Sequence, residues 1–305
     1  MIDELLFLGT GAAQAVPAIY SRGLDASRPD GARADKNLRT RSAFRLGRGH
    51  QIDAGPDYYM QSARERMSWF DLEHLFITHT HSDHFNFDGV LQKDISVENN
   101  GKPVTIHMSA PALRWFLSVW CYSRTLESPS NRDLDEARES FRPWFEFNVL
   151  PFFEWRTVGE IAVCGVPGTH TGRVPDDLAM NLLMELPDGF RMLYGLDTGY
   201  YDDETFSFLA STKLDMVVLD CTFGGRTDRG EFPAGHLDCA SLVHVVARLV
   251  ELGTITSDTP VYASHINPDQ GLDHDGLARR FASEPYNILP AYDGLRVKPR
   301  ITGRP

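Results

Sequence analysis

The 305-residue chain is short of three things. Cysteine occurs only at Cys121, Cys164, Cys221 and Cys239, with no CxxC pair and no dense framework. A disulfide scaffold and a thiolate metal knuckle are thereby excluded as the basis of the fold, and reduced thiols in a reducing compartment are expected. Positive charge is scarce: 30 Lys and Arg stand against 42 Asp and Glu, a formal net charge of −12. That balance argues against bulk attraction to nucleic acid or to an anionic membrane. Long apolar runs are missing too, since nothing approaches the ~18 residues that span a bilayer. The opening MIDELLFLGTG is acidic where a secretory signal is basic, so a cytoplasmic protein is expected. What remains, 42% hydrophobic and 24% charged residues, is a globular composition able to bury a core.

Short apolar segments ending in Gly, Asp, His or Thr recur along the chain. ELLFLGTG, SAFRLGRGHQIDAG, HLFITH, PVTIHMS, IAVCGVPGTH, MNLLMEL, FRMLYGLDTG, MVVLDCTF and PVYASHIN all read as strands whose C-terminal ends carry chemistry-bearing residues. SARERMSWF, DCASLVHVVARLVELG and LDHDGLARRFAS read as helices, the second capped at Asp238 and stopped at Gly253. Strands mixed with helices predict an α/β layered domain. Residues 110–157 are aromatic-rich and mostly helical in pattern, and are expected to form an insertion over the sheet edge or the site, with Trp115, Phe116, Trp120, Tyr122, Trp144, Phe145 and Phe147 mainly as its core. Residues 20–42 form one long polar loop, basic in its second half.

The densest chemistry is THTHSDHFNFDG, residues 78–89. His79 and His81, two apart at a strand end, leave the same face, and Asp83 and His84 follow as the chain turns toward a neighbouring position. Imidazole nitrogen with carboxylate oxygen suits zinc, manganese or iron, and the spacing suits two adjacent ions.

THTHSDH resembles the HxHxDH signature of the metallo-β-lactamase superfamily, and the resemblance extends over nearly the whole chain. It implies an α/β fold of the four-layer αββα sandwich type, a single domain over residues 1–305, and two divalent metal ions, zinc or manganese. Carried over by position, His79, His81 and His170 would hold one metal, Asp83, His84 and His265 the other, and Asp197 would bridge them. Asp53 in QIDAG matches the aspartate that orients the metal loop without ligating. LGTGAAQAVPA, with Gly9 and Gly11 in a turn beside the site, is similar to the branch containing the phosphodiesterase of the carbon-phosphorus lyase pathway and its relative in pyrroloquinoline quinone biosynthesis; tRNA 3′-processing nucleases are more distant. The chain departs from that phosphodiesterase by lacking a cysteine cluster between residues 18 and 42. Arg22, Arg28, Arg33, Lys36, Arg39 and Arg41 stand there instead, with Arg39 and Arg41, beside a strand start, as the expected anion contacts.

Two metals of this kind acidify a shared water and clamp the oxygens of an in-line displacement at phosphorus. Such a reaction also wants a proton donor, and His236 in PAGHLD falls where related phosphodiesterases have a catalytic histidine. Asp220, ending MVVLD, corresponds to the carboxylate that orients it. His274 either faces the site mouth or starts a helix, while His50, His74, His107 and His244 are expected to be structural. The leading expectation is a dinuclear metal phosphodiesterase acting on a small phosphorylated molecule, a cyclic phosphate diester among the options. The alternatives are a tRNA 3′-processing nuclease, for which the sequence shows no basic exosite arm, and a carrier-like cofactor-biosynthesis protein that retains the fold without hydrolysis. Nucleic acid and membrane are not expected partners, and a homodimer is left open.

Overall fold

The computed structural model describes residues 2–20, 36–267, 269 and 271–301. Arg22, Arg28 and Arg33 lie outside the described residues. Two mixed sheets face each other. The first runs in the order β14 (Arg296–Val297), β1 (Leu5–Gly9), β2 (Ala43–Leu46), β3 (His50–Ile52), β4 (His74–Phe76), β5 (Val104–Met108) and β6 (Phe145–Val149). The second runs β13 (Ile288–Pro290), β12 (Val261–Ser264), β11 (Met216–Asp220), β10 (Arg191–Gly195), β9 (Leu178–Glu185), β8 (Ile161–Thr171) and β7 (Trp155–Val158).

The near-continuous apolar strands follow from burial on both faces. Along β10 and β11, Met192, Tyr194, Met216 and Val218 point between the sheets, where they meet Phe7, Phe44, Ile52 and Phe76. The alternate residues Leu193, Val217 and Leu219 point outward onto helices. The period of two thus divides each strand between two cores. The connections of the first sheet carry α1 (Tyr58–Glu65), α2 (Phe87–Val90), α3 (Gln92–Ile95), α4 (Ala110–Thr125) and α5 (Asn131–Ser140), and outside the second sheet lie α6 (Asp203–Leu209), α7 (Cys239–Glu251) and α8 (His274–Phe281). Leu242, Val245, Val246 and Leu249 form the buried stripe of α7, the i, i+3, i+4, i+7 spacing of an amphipathic helix. Asp238 caps α7 by accepting from the backbone N–H groups of Ala240 and Ser241, each at 2.9 Å, and the chain leaves it through Gly253 at φ +66°. Helices thus flank both sheets, giving the αββα layering; none is long and apolar enough to cross a membrane among the described residues.

Three sequence expectations change. The helix expected over SARERMSWF is displaced N-terminally: α1 covers Tyr58–Glu65 and ends at Arg66, which is left-handed at φ +52°. SAFRLGRGHQIDAG is a hairpin of β2 and β3, turned at Gly47 (φ +56°). Residues 110–157 are not one helical insertion. Only α4 (Ala110–Thr125) and α5 (Asn131–Ser140) are helical; the end of the segment supplies β6 and β7, the edge strands of the two sheets. The aromatic density misled because Phe116, Phe141, Phe145 and Phe147 belong to one core, shared by helix and strand. The polar stretch between the two helices, residues 127–133, starts the second of them: the Ser130 hydroxyl accepts from the Asp133 backbone N–H, and the Asp133 carboxylate accepts from that of Ser130, closing a capping box on α5.

Candidate metal centre

β3, β4 and β5 run parallel, as do β10, β11 and β12. β8 is antiparallel to β9, itself antiparallel to β10, so β8 ends on the same side as β10. Asp53 follows β3, the His79–His84 loop follows β4, His170 closes β8, Asp197 follows β10, Asp220 ends β11 and His265 follows β12. One end of the sandwich therefore gathers residues spread over more than two hundred positions. Asp53 (φ +60°), Asp197 (φ +51°) and His265 (φ +61°) are all held left-handed, a conformation that costs a non-glycine residue roughly 1 kcal/mol and is tolerated where a site demands it. His265 is also fixed from the N-terminus: Ile266 donates its N–H to the Thr10 carbonyl at 2.9 Å and accepts from the Ala12 N–H at 3.0 Å. That gives LGTGAA its place beside the site.

Two groups of donors converge. His79 Nε2 and His170 Nε2 each lie 3.1 Å from His81 Nδ1. Nitrogens bound tetrahedrally to one zinc at ~2.1 Å stand ~3.4 Å apart, so this clustering suits a shared cation. In the second group, His84 Nε2 lies 3.2 Å from Asp83 Oδ2 and 3.4 Å from His265 Nε2. Asp197 stands between the groups. Its Oδ1 is 3.8 Å from both His79 Nε2 and His170 Nε2, and its Oδ2 is 3.0 Å from His84 Nε2 and 3.2 Å from His265 Nε2. That buried Oδ2 lacks a well-directed hydrogen bond despite these close nitrogens. Lone pairs aimed at a common point, rather than at one another, are what a cation requires, and the donors are all imidazole nitrogen or carboxylate oxygen.

The partners behind these donors set their tautomers. His84 donates from Nδ1 to Asp53 Oδ2 at 2.7 Å, His265 from Nδ1 to the Thr222 hydroxyl at 2.7 Å, and His79 from Nδ1 to the Thr78 hydroxyl at 3.1 Å. Each leaves a bare Nε2 facing the centre. Asp53 is fully buried and also accepts from the Thr78 N–H at 2.9 Å. Burial works against charging His84, but Asp197, Asp83 and Asp53 together draw its ring well above the ordinary histidine range. Burial likewise opposes the Asp197 carboxylate, and His265, His84 and His79 keep it ionised well below the usual range. Burial and the neighbouring His84 hold His79 neutral. Ionised Asp83 and Asp197 thus face a neutral His79 and a His84 drawn toward its charged form.

His236 lies at the edge of this centre, its ring 4.6 Å from that of His170 and stacked 5.5 Å from that of His265. It donates from Nδ1 to Asp220 Oδ2 at 3.0 Å. Burial opposes its charged form, but Asp220 outweighs that and raises the ring to about 9. Asp220 is fully buried and accepts from the backbone N–H groups of Asp197, Thr222 and Leu237 at 2.9–3.1 Å. It therefore ties the loop of the central aspartate to the loop of His236.

The remaining candidates are placed elsewhere. Arg39 is buried, donating to the Thr10 hydroxyl at 2.8 Å and the Ala291 carbonyl at 2.6 Å. Arg41 pairs with Asp57 at 3.1 Å and donates to the Ala13 carbonyl at 3.0 Å. Both bind the N-terminal loop to the body, which corrects the expectation of open anion contacts: a strand start places an arginine beside the chain's own carbonyls and carboxylates. His274 takes the helix-start alternative, as the first residue of α8 with its Nδ1 3.4 Å from Arg39. Burial, with Arg39 adding to it, pushes it down to about 4.

Sequence reasoning missed Asp177. This fully buried carboxylate accepts from the Thr80 N–H at 3.0 Å, the Thr80 hydroxyl at 2.6 Å and the Ser109 hydroxyl at 3.0 Å. It clamps the turn between His79 and His81 to the start of α4. In VPDDLA it looks like any turn residue, and no local signal separates it from Asp176.

Residues 51–266 match the family described as beta-lactamase superfamily domain. No curated protein sequence matches the chain. The structure is similar to a new diphosphatase from the PhnP family over 97% of each chain, at 20% identity and TM-score 0.67. It is similar to zinc-bound PqqB from Methylobacterium extorquens over 97% of this chain and 99% of that one, at 15% identity and TM-score 0.66. The human short-form tRNase Z aligns over 98% and 100%, at 17% identity and TM-score 0.59. With the family matched over most of its length, and with its HxHxDH loop, sandwich and convergent histidine and aspartate donors, the chain belongs to the metallo-β-lactamase superfamily.

Proposed function

We propose that the protein is a dinuclear metal-dependent phosphodiesterase acting on a small phosphorylated molecule, a cyclic phosphate diester included. The observation that carries this reading is the His236–Asp220 pair, a charged imidazole held at the rim of a metal-suited centre. The thiolate of a thioester can depart unprotonated, whereas the departing alkoxide of a phosphate diester must take up a proton. Zinc or manganese ions held by His79, His81 and His170 and by Asp83, His84 and His265, with Asp197 common to both, would supply Lewis-acid charge and an acidified water.

The chain's own residues do the rest. Water adds its oxygen to phosphorus and releases one proton to solvent, the ester P–O bond breaks with its electron pair on the leaving oxygen, and His236 Nε2 gives up its proton to that oxygen and regains one from solvent. Asp220 keeps Nδ1 protonated throughout, so Nε2 is the position that exchanges. Arg229 lies 3.9 Å over the Phe223 ring and donates to the His236 carbonyl at 3.2 Å, holding the donor's loop in place. The net charge of −12 favours a small substrate over a polyanion, and the diphosphatase likeness supports phosphate chemistry.

The test is a metal-quantified assay panel of a ribosyl cyclic phosphate, 2′,3′-cyclic nucleotides, a generic phosphodiester, a precursor tRNA, a lactam and a thioester. Activity on the small diesters is expected, with His236→Ala lowering kcat by about 10²–10⁴-fold at unchanged metal content. Full activity of that variant, or activity confined to the lactam and thioester, would sink the reading.

A further inference from the structure

His236 reaches the rim of the metal centre on a loop, and Asp220 anchors that loop from His236 onward, by accepting from His236 Nδ1 and from the Leu237 N–H. The stretch before it, FPAG, needs a second anchor. It ends in Gly235, left-handed at φ +79°, and glycine leaves the backbone more freedom than any other residue. The second anchor comes from β8: it is Thr169, the residue before His170.

The Thr169 hydroxyl accepts from the Gly235 N–H at 3.0 Å and from the Gly199 N–H at 2.7 Å. Together they occupy both lone pairs of the oxygen. One donor directly precedes His236, and the other lies two residues after Asp197. Among the described residues, this hydroxyl is the sole hydrogen-bond acceptor of either N–H. The same three stretches of chain meet at further points. Thr169 donates its own N–H to the Thr198 hydroxyl at 3.2 Å, and Tyr200 donates its N–H to the Pro233 carbonyl at 2.8 Å. A β-carbon at Gly168 would lie 2.9 Å from the Asp197 carbonyl oxygen, and one at Gly235 would lie 3.7 Å from His170 Nδ1.

We propose that Thr169 is a positioning residue for proton transfer, its hydroxyl tying the His236 loop to the strand end that carries His170 and to the loop that carries Asp197. This role rests on His236 being the proton donor of the proposed phosphodiester hydrolysis. Its physical basis is reach. Transfer needs His236 Nε2 within about 2.6–3.2 Å of the leaving oxygen, and a misplacement of about 1 Å can cost about 10²-fold in rate. Asp220 orients the ring while the chain entering it stays hinged at Gly235; the bond to Thr169 removes that freedom. Valine matches threonine in shape but offers no acceptor, so both glycine N–H groups would turn to water and the loop would follow them. Serine keeps the oxygen. A threonine near the end of a strand is ordinary by composition, and only the meeting of the three segments gives its hydroxyl this place.

The experiment compares Thr169→Val and Thr169→Ser with wild type in the metal-loaded full-length chain, on the small diester that wild type turns over fastest, and repeats Thr169→Val in a His236→Ala background. Thr169→Val is expected to lower kcat at least about tenfold at unchanged metal content, with KM within about twofold of wild type. Thr169→Ser should keep kcat within about threefold. Because the loss passes through His236, Thr169→Val should cost less than about twofold more once His236 is alanine. Amide exchange followed by NMR needs no substrate: the Gly199 and Gly235 N–H groups should lose at least about tenfold protection in Thr169→Val and keep it in Thr169→Ser. Wild-type kcat in Thr169→Val, the same loss repeated in the His236→Ala background, or unchanged protection of Gly235 overturns the proposal. Full diester turnover by His236→Ala alone overturns the phosphodiesterase reading and the proton-transfer role together, and the exchange result then still reports whether the clamp exists. If Thr169→Val does not fold, Thr169→Ala takes its place under the same criteria.

Discussion

Replacing Asp177 tests whether the metal loop is held by its own turn or from behind. Three hydrogen bonds enter this fully buried carboxylate, two from Thr80 and one from Ser109. Asp177→Ala leaves the Thr80 N–H and hydroxyl without their acceptor in a region water does not reach. Hydrogen bonds to a carboxylate contribute about 1.5–3 kcal/mol each and are not additive within one network, so a loss of roughly 3–6 kcal/mol is expected. Against a total of about 5–15 kcal/mol the variant stays folded at 25 °C but is much weakened. Taking a urea m-value of about 3 kcal/mol/M, the midpoint falls by roughly 1–2 M at unchanged m. Asp177→Asn keeps one acceptor and gives the Ser109 hydroxyl a donor to receive, so it loses only about 1–2 kcal/mol. Because Thr80 separates His79 from His81, Asp177→Ala also loses metal affinity, read by competition with a chelator. A midpoint shift worth less than ~1 kcal/mol, or affinity equal to wild type, refutes the argument that the clamp positions the loop.

Other perturbations have defined outcomes. A β-carbon at Gly199 would lie 2.0 Å from the Pro233 carbonyl oxygen and 2.7 Å from Ala234 Cα; Gly199→Ala should displace the His236 loop, lowering kcat at least about tenfold for an overpacking cost of about 1–3 kcal/mol, and wild-type turnover would contradict that coupling. Leu249 is fully buried in α7 against the second sheet, so Leu249→Ala should cost about 2–5 kcal/mol in urea unfolding and leave activity per folded molecule unchanged. Folding depresses His50 to about 4 and His107 to about 3 from the ordinary 6.5. Above pH ~6.5 both states are neutral and nothing is lost; as pH falls below it the unfolded chain takes up protons that the folded chain refuses. Stability therefore declines progressively down to about pH 4 and then 3, by several kcal/mol in all. Urea midpoints at pH 7.5, 6 and 5 should show the decline, and His107→Asn should show a shallower one; equal slopes would remove His107 from the account.

The sequence by itself determined the alternating apolar strands, the Asp238-capped helix and the four donors of THTHSDH. These depend on residues within a few positions of one another, where periodicity, capping and strand-end geometry act locally. The resemblance carried by that loop brought in His170, Asp197 and His265, and the structure gathers all of them at one end of the sandwich. Local pattern failed where long-range pairing decides. Residues 110–157 read as a mostly helical insertion, yet their last strands complete opposite sheets, because an edge strand is fixed by its neighbour and not by its composition. Arg39 looked like an anion contact until the fold closed Thr10 and Ala291 around it. Asp177 carried no signal, since its partners Thr80 and Ser109 lie 97 and 68 residues away. His50 and His74 each looked like a lone strand histidine; only parallel pairing of β3 with β4, under a glycine turn from the other sheet, sets their rings together. Ligand types and strand periods are properties of neighbouring residues, whereas which buried polar groups find partners is settled by contacts that exist only once both sheets have assembled.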